Sequence, residues 1–158
     1  MRVVFLVAAV TLVIDQSVKI WVLRGLDLDR LGAIDIWPPF LNLRMAWNRG
    51  VNFGLFAADG TAMRWGLVIV AVAISAAVLW WVWREPGGRW RKAAAGILVG
   101  GALGNALDRV LYGAVADYLN MSCCGLDNPY AFNIADIAVF AGALGMIIFA
   151  DGKAKKAA

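Results

Sequence analysis

The chain has 158 residues, 62% of them hydrophobic, with a mean hydropathy of +0.71 and a net charge of +4. A water-soluble domain is about 45–50% apolar, so the excess points to lipid as the solvent for most of this chain. There is no His, which excludes Ser-His-Asp and Cys-His catalysis and most zinc sites. The basic residues lack the interleaved aromatics of a nucleic-acid surface.

Four apolar segments are predicted as membrane spans: residues 3–23, 65–83, 93–111 and 132–150. Each is near the ~20 residues that a helix needs to cross a bilayer core, and a helix satisfies its own backbone there. The whole chain, residues 1–158, reads as a single all-α membrane domain. The first segment is interrupted by Asp15 and Lys19 and lacks a small-residue cleavage pattern, so it is expected to be a retained helix rather than a removed leader. Asp15 and Lys19 stand at i, i+4 on one helix face and can pair.

The segment 24–64 that follows is predicted as a loop domain with short strands. Its alternating stretches are Phe40-Leu-Asn-Leu-Arg-Met and Val51-Asn-Phe-Gly-Leu-Phe. The turn between spans two and three carries Arg84, Arg89, Arg91 and Lys92, and the C-terminal tail carries Lys153, Lys155 and Lys156. The loop 112–131 has neither Lys nor Arg. Basic residues concentrate in cytoplasmic loops, so both termini and the basic turn are expected in the cytoplasm, with loops 24–64 and 112–131 outside. The eight Trp fit the interfacial belts of such a protein.

Span three holds Gly100-Gly-Ala-Leu-Gly-Asn-Ala-Leu-Asp-Arg109. Gly100 and Gly101 begin small-residue faces that continue through Gly104 and Asn105 to Asp108, a pattern that lets a neighbouring helix approach closely. Arg109 is expected to compensate Asp108 locally, which makes Asp108 a structural carboxylate. Asp117 lies among apolar residues in the loop beyond, without a cation of its own. Asn133 and Asp136 open the fourth span at i, i+3, where a helix N-terminus favours a carboxylate. Cys123 and Cys124 are adjacent, too close for an unstrained disulfide, and read as free thiols.

Ionisable residues inside a span are costly, at ~2.5–3.5 kcal/mol each on insertion scales, and mark function by default. Three readings accommodate them here. In a proton-coupled carrier, Asp15, Lys19, Asp108 and Asp136 would be spread along a polar path. In a structural subunit they would only glue helices together. In a hydrolase, two acids would meet at one membrane face.

The residues that choose among these resemble the lipoprotein signal peptidase (signal peptidase II) family. Five blocks follow that family's order: Asp15-Gln-x-x-Lys19, Asn48-Arg-Gly-Val-Asn-Phe-Gly54, Gly101-x-x-Gly104-Asn105-x-x-Asp108-Arg109, Val115-x-Asp117-Tyr118 and Phe132-Asn133-x-Ala-Asp136. Asn52 and Tyr118 depart from it, standing where the family has a small residue and Phe.

The resemblance implies an aspartyl endopeptidase of the bacterial inner membrane, with Asp117 and Asp136 as the catalytic dyad near the periplasmic face. It implies supporting or substrate-binding roles for Asn48, Gly101, Asn105, Asp108, Arg109, Asn133, Asp15 and Lys19. The implied substrates are prolipoproteins carrying a diacylglyceryl-modified Cys, cut on the N-terminal side of that Cys. Trp47, Phe53 and Phe56 of the outer loop are expected to lie over the lipidated substrate. The expected chemistry needs no metal and no cofactor. The expected partners are substrate and membrane lipid, not nucleic acid, and the chain is expected to act as a monomer.

Overall fold

The computed structural model describes residues 1–50, 60–85, 87–125 and 128–150. Helix α1 spans Arg2–Ile20 and continues into a π-helical turn, Trp21–Gly25. A one-turn helix, α2 (Leu28–Leu31), leads into strands β1 (Ala33–Trp37) and β2 (Leu41–Asn48). Two long helices follow, α3 (Gly60–Arg84) and α4 (Arg89–Tyr112), then strand β3 (Val115–Asn120) and helix α5 (Ile134–Ile148). The alternating stretch from Val51 lies outside the described residues.

Among the described residues, three helices are long and apolar enough to cross a membrane: Arg2–Gly25, Gly60–Arg84 and Arg89–Tyr112. They coincide with the first three predicted spans. The fourth predicted span, 132–150, is an apolar helix of 15 residues, about 22 Å long at ~1.5 Å per residue. It starts later than its hydropathy indicates because Asn133 and Asp136 form a capping box that fixes its N-terminus.

Helix α4 is the hub. Of its most apolar window 56% is buried, against 17% for those of α1 and α3, because it packs against α1, α3 and α5. Glycine makes these approaches possible. A Cβ at Gly96 or Gly100 would stand 2.6 Å from a backbone oxygen of α1, Val4 or Ala8. A Cβ at Gly101 would stand 2.5 Å from the Ala135 oxygen of α5. The expected small-residue faces are therefore two seams: Gly100 and Gly104 face α1, and Gly101 faces α5.

Strands β1, β2 and β3 form one antiparallel sheet in that order. The sheet is thus not confined to the loop between the first two long helices. Its third strand comes from the segment after α4, which was expected to be loop. Val22, Leu28, Leu43 and Tyr118 form the core beneath it. A second core, containing Val4, Val82, Ala95, Leu98 and Met146, fills the opposite end of the bundle. At that end Arg84, Arg89 and Arg91 lie over the rings of Trp80, Trp90 and Trp81.

Candidate active site

The polar residues singled out in the sequence gather where α1, α4, α5 and the sheet meet. Helix α1 brings Asp15, Gln16 and Lys19. Helix α4 brings Asn105, Asp108 and Arg109. Asn48 ends β2, Asp117 lies within β3, and Asn133 and Asp136 open α5. Gly101 holds α5 against α4 one turn from this cluster.

The deepest part is a charged triad. Lys19 Nζ lies 2.8 Å from Asp15 Oδ2 and 2.8 Å from Asp108 Oδ2. The ammonium is 2% exposed and both carboxylates 0%. A charge buried in this way survives only if paired and hydrogen-bonded, and these are. Asp15 Oδ1 accepts from the Ala135 amide at 2.9 Å, and Asp108 Oδ2 from the Ala116 amide at 3.2 Å. Gln16 Nε2 donates to Asp108 at 2.9 Å and to Asp15 at 3.1 Å. The triad thereby ties α1 to α4, to the start of α5 and to β3.

The expected i, i+4 pair of Asp15 and Lys19 is present, and Asp108 is a paired carboxylate as read. Its partner differs: Lys19, not the adjacent Arg109. Successive residues on a helix do not face one another, so Arg109 points elsewhere and its Nη1 donates to the Asn105 carbonyl at 3.1 Å. Gln16 was passed over as a site residue, although an amide within an apolar span carries the same signal as the charges beside it. Cys123 and Cys124 are free and exposed.

Above the triad stand Asp117 and Asp136, held by one residue between them. Asn133 Nδ2 donates to Asp117 Oδ1 at 2.6 Å, while the Asn133 backbone amide donates to Asp136 Oδ2 at 3.2 Å. The Asn133 side-chain Oδ1 accepts from the Asp136 amide at 2.9 Å, which closes the capping box. The other carboxylate oxygens are occupied too. Asn48 Nδ2 donates to Asp117 Oδ2 at 3.0 Å, and Asn105 Nδ2 donates to Asp136 Oδ1 at 2.7 Å.

Asp117 is 3% exposed. Burial disfavours its charged form and raises its pKa from 3.8 to about 6. The neighbouring Asp136 charge adds to the rise, and the Asn48 and Asn133 donors oppose it. From Asp136 a groove of about 670 Å³ runs along α5, lined by Phe132, Ile137, Phe140, Ala141 and Leu144. The acids at this end of the bundle are clustered, not strung out as a carrier's path would require. Phe53 and Phe56 lie outside the described residues, and Trp47 is exposed on the sheet, its indole donating to Asp29 at 2.9 Å.

The model of the Signal peptidase (SPase) II family matches residues 7–150. The chain belongs to the signal peptidase II family. Membership makes it a membrane peptidase, and its relatives are similar over most of their length. The lipoprotein signal peptidase of Methylorubrum extorquens (strain PA1) is 42% identical over 139 residues, 87% of this chain and 79% of that one. That of Methylobacterium sp. (strain 4-46) is 43% identical over 141 residues, 89% and 84%. A solved bacterial membrane enzyme, determined by the in meso method at 1.9 Å, is 27% identical with a TM-score of 0.79. The superposition covers 97% of this chain and 95% of the other. The short α5 and the three-stranded sheet of this signal peptidase II chain therefore belong to a fold already solved for a membrane enzyme.

Proposed function

We propose that the chain is an aspartyl endopeptidase that removes signal peptides from diacylglyceryl-modified prolipoproteins, cutting on the N-terminal side of the lipidated Cys. Asp117 and Asp136 are its catalytic dyad. One observation carries the reading: a single residue, Asn133, donates to both carboxylates, through its side chain to one and its backbone to the other. Two carboxyl groups held so close share a proton, since ionising both in a poorly solvated place is costly.

The chemistry follows from that sharing. The ionised carboxylate takes a proton from water, and the resulting hydroxide adds to the scissile carbonyl carbon. The protonated partner gives its proton to the carbonyl oxygen, leaving a neutral tetrahedral diol. In collapse, the acid formed from water's proton gives that proton to the leaving nitrogen as the C–N bond breaks. The other carboxylate recovers a proton from a diol hydroxyl, and the dyad returns to its starting state.

Helix α5 serves as the fourth crossing of the inner membrane despite its 15 residues. The turn with Arg84, Arg89, Arg91 and Lys92 faces the cytoplasm with both termini, and the dyad faces the periplasm. A lipidated Cys keeps its acyl chains in the bilayer, so its scissile bond lies at the membrane surface, level with the start of α5.

The test is cleavage of a lipidated precursor by purified protein in nanodiscs. Asp117→Asn and Asp136→Asn each abolish cleavage while thermal unfolding stays cooperative. Turnover retained by either variant refutes the dyad.

A further inference from the structure

The polar network around the dyad has a direction, set from its deepest member. A lysine ammonium has three donors and no acceptor. All three of Lys19's are engaged: Asp15 at 2.8 Å, Asp108 at 2.8 Å and Asn105 Oδ1 at 3.3 Å. The Asn105 amide therefore presents its oxygen to Lys19, because its NH2 group there would set donor against donor. Asn133 Nδ2, 3.2 Å from the same oxygen, fixes the orientation a second time. The Asn105 Nδ2 group is left facing the other way, 2.7 Å from Asp136 Oδ1.

Asp136 thus meets a donor that cannot turn over on one oxygen. On the other it meets the Asn133 backbone amide, which cannot turn over at all. It also lies in the first turn of α5, where the helix end favours negative charge. Asp117 accepts amide donors too, but it is buried within a strand and has no helix end.

We propose that Lys19 is a positioning residue of the dyad: through the Asn105 amide it keeps a donor on Asp136, making Asp136 the ionised member and Asp117 the holder of the shared proton. This deepens the aspartyl peptidase reading and rests on it. Asp136 is then the base that takes the proton from water, and Asp117 the acid that protonates the carbonyl oxygen. The charged and titratable groups around the pair are Asp15 and Lys19 from α1, Asp108 and Arg109 from α4, and Tyr118 beside Asp117 on β3.

Removing Lys19 alone strands two buried carboxylates, so the variant of choice is Lys19→Met with Asp108→Asn. It deletes one charge of each sign and keeps the triad's net charge at minus one. The readout is the pH profile of kcat/KM for a lipidated precursor in nanodiscs. With Asn105 released, the acid limb of the profile moves up by about one pH unit, with KM little changed. Lys19→Arg, which keeps the donor, leaves the limb in place. A purely structural Lys19 lowers kcat at every pH without moving the limb, and that result overturns the proposal.

A second measurement applies even if the double variant fails to fold. Infrared difference spectra at about pH 5 report protonated carboxyl groups directly. The dyad's protonated carboxyl band disappears in Asp117→Asn and persists in Asp136→Asn. Loss from Asp136→Asn instead overturns the assignment. The spectra do not depend on turnover, so they separate a wrong proton assignment from a wrong dyad, which cleavage by either Asn variant would reveal.

Discussion

Replacing Gly101 with Ala tests whether the seam between α4 and α5 sets the rate. An alanine Cβ would stand 2.5 Å from the Ala135 oxygen and 3.0 Å from the Ala138 Cβ. Ordinary contact between such atoms is about 3.3–4.0 Å, so α5 must retreat by roughly 1 Å at its first turn. That turn carries Asn133 and Asp136, and it receives the Asp15 carboxylate at Ala135. Overpacking of this kind costs about 1–3 kcal/mol of stability. A misplacement of about 1 Å costs on the order of 100-fold in rate, so kcat/KM for a lipidated precursor should fall by about that factor. Gly142→Ala is the control. Its Cβ would stand 2.5 Å from the Leu98 amide nitrogen, on the same seam but six residues beyond Asp136, about 9 Å further along the axis. Thermal unfolding should show similar losses for the two variants, while the rate loss should be at least ten times larger for Gly101→Ala. Equal rate losses, or a Gly101→Ala enzyme within about 3-fold of the parent, would refute the argument that this contact positions the site.

Asp117→Asn should be inactive, and its stability relative to the parent should rise with pH. The pKa of Asp117 is raised to about 6 in the folded chain, so its stabilising contribution is present below pH 4 and lost as pH rises through 6. The difference from the parent should shift in the variant's favour by on the order of 2 kcal/mol between pH 4 and pH 8; a pH-independent difference would contradict the cause given. On the proposed mechanism Asp117 acts in its protonated form, so cleavage should decline above about pH 6. Asn48→Leu removes a donor that lowers the Asp117 pKa, so the decline should move to higher pH; movement to lower pH would reverse the assigned role. Tyr118 is 1% exposed, and its hydroxyl, beside the Ile134 backbone, completes no hydrogen bond among the described residues. Tyr118→Phe should raise stability by about 1 kcal/mol with cleavage retained, as measured by thermal unfolding and precursor processing.

What the sequence makes legible here follows from the range of each interaction. The long helices are readable because hydropathy is local: α1, α3 and α4 coincide with three predicted spans. The Asn133–Asp136 spacing is readable for the same reason, since a capping box closes within one turn. Strand β3 is not. It has six residues, and its partner β2 lies beyond two long helices, with Ala46 pairing with Asp117 across that gap. The error over Asp108 has the same origin. Proximity along the chain favoured Arg109, whereas the true partner lies on another helix, at a contact made only once Gly104 lets Asp15 within reach of a Cβ's place, 2.7 Å away. The loop topology puts Asp117 and Asp136 at the same outer interface, but their meeting is invisible to spacing and is implied by the resemblance to the family.

These observations explain why charges are buried in a helix that also faces lipid. For the proposed chemistry the carboxylate at the start of α5 must be aimed to within a fraction of an ångström, yet α5 is short and rests mainly on α4. Close packing at Gly101 and Gly142 sets how near α5 lies to α4. Directional bonds add resistance to movement along that seam. Asp15 accepts from the first-turn amide of Ala135 and is itself fixed by Lys19, which also fixes Asp108 and, through it, the Ala116 amide beside Asp117. One ammonium thus sets the height of α5 and the height of β3 against the same point on α4. On the proposed dyad, the insertion cost of three charges follows from needing a fixed reference between two acids that arrive on separate segments.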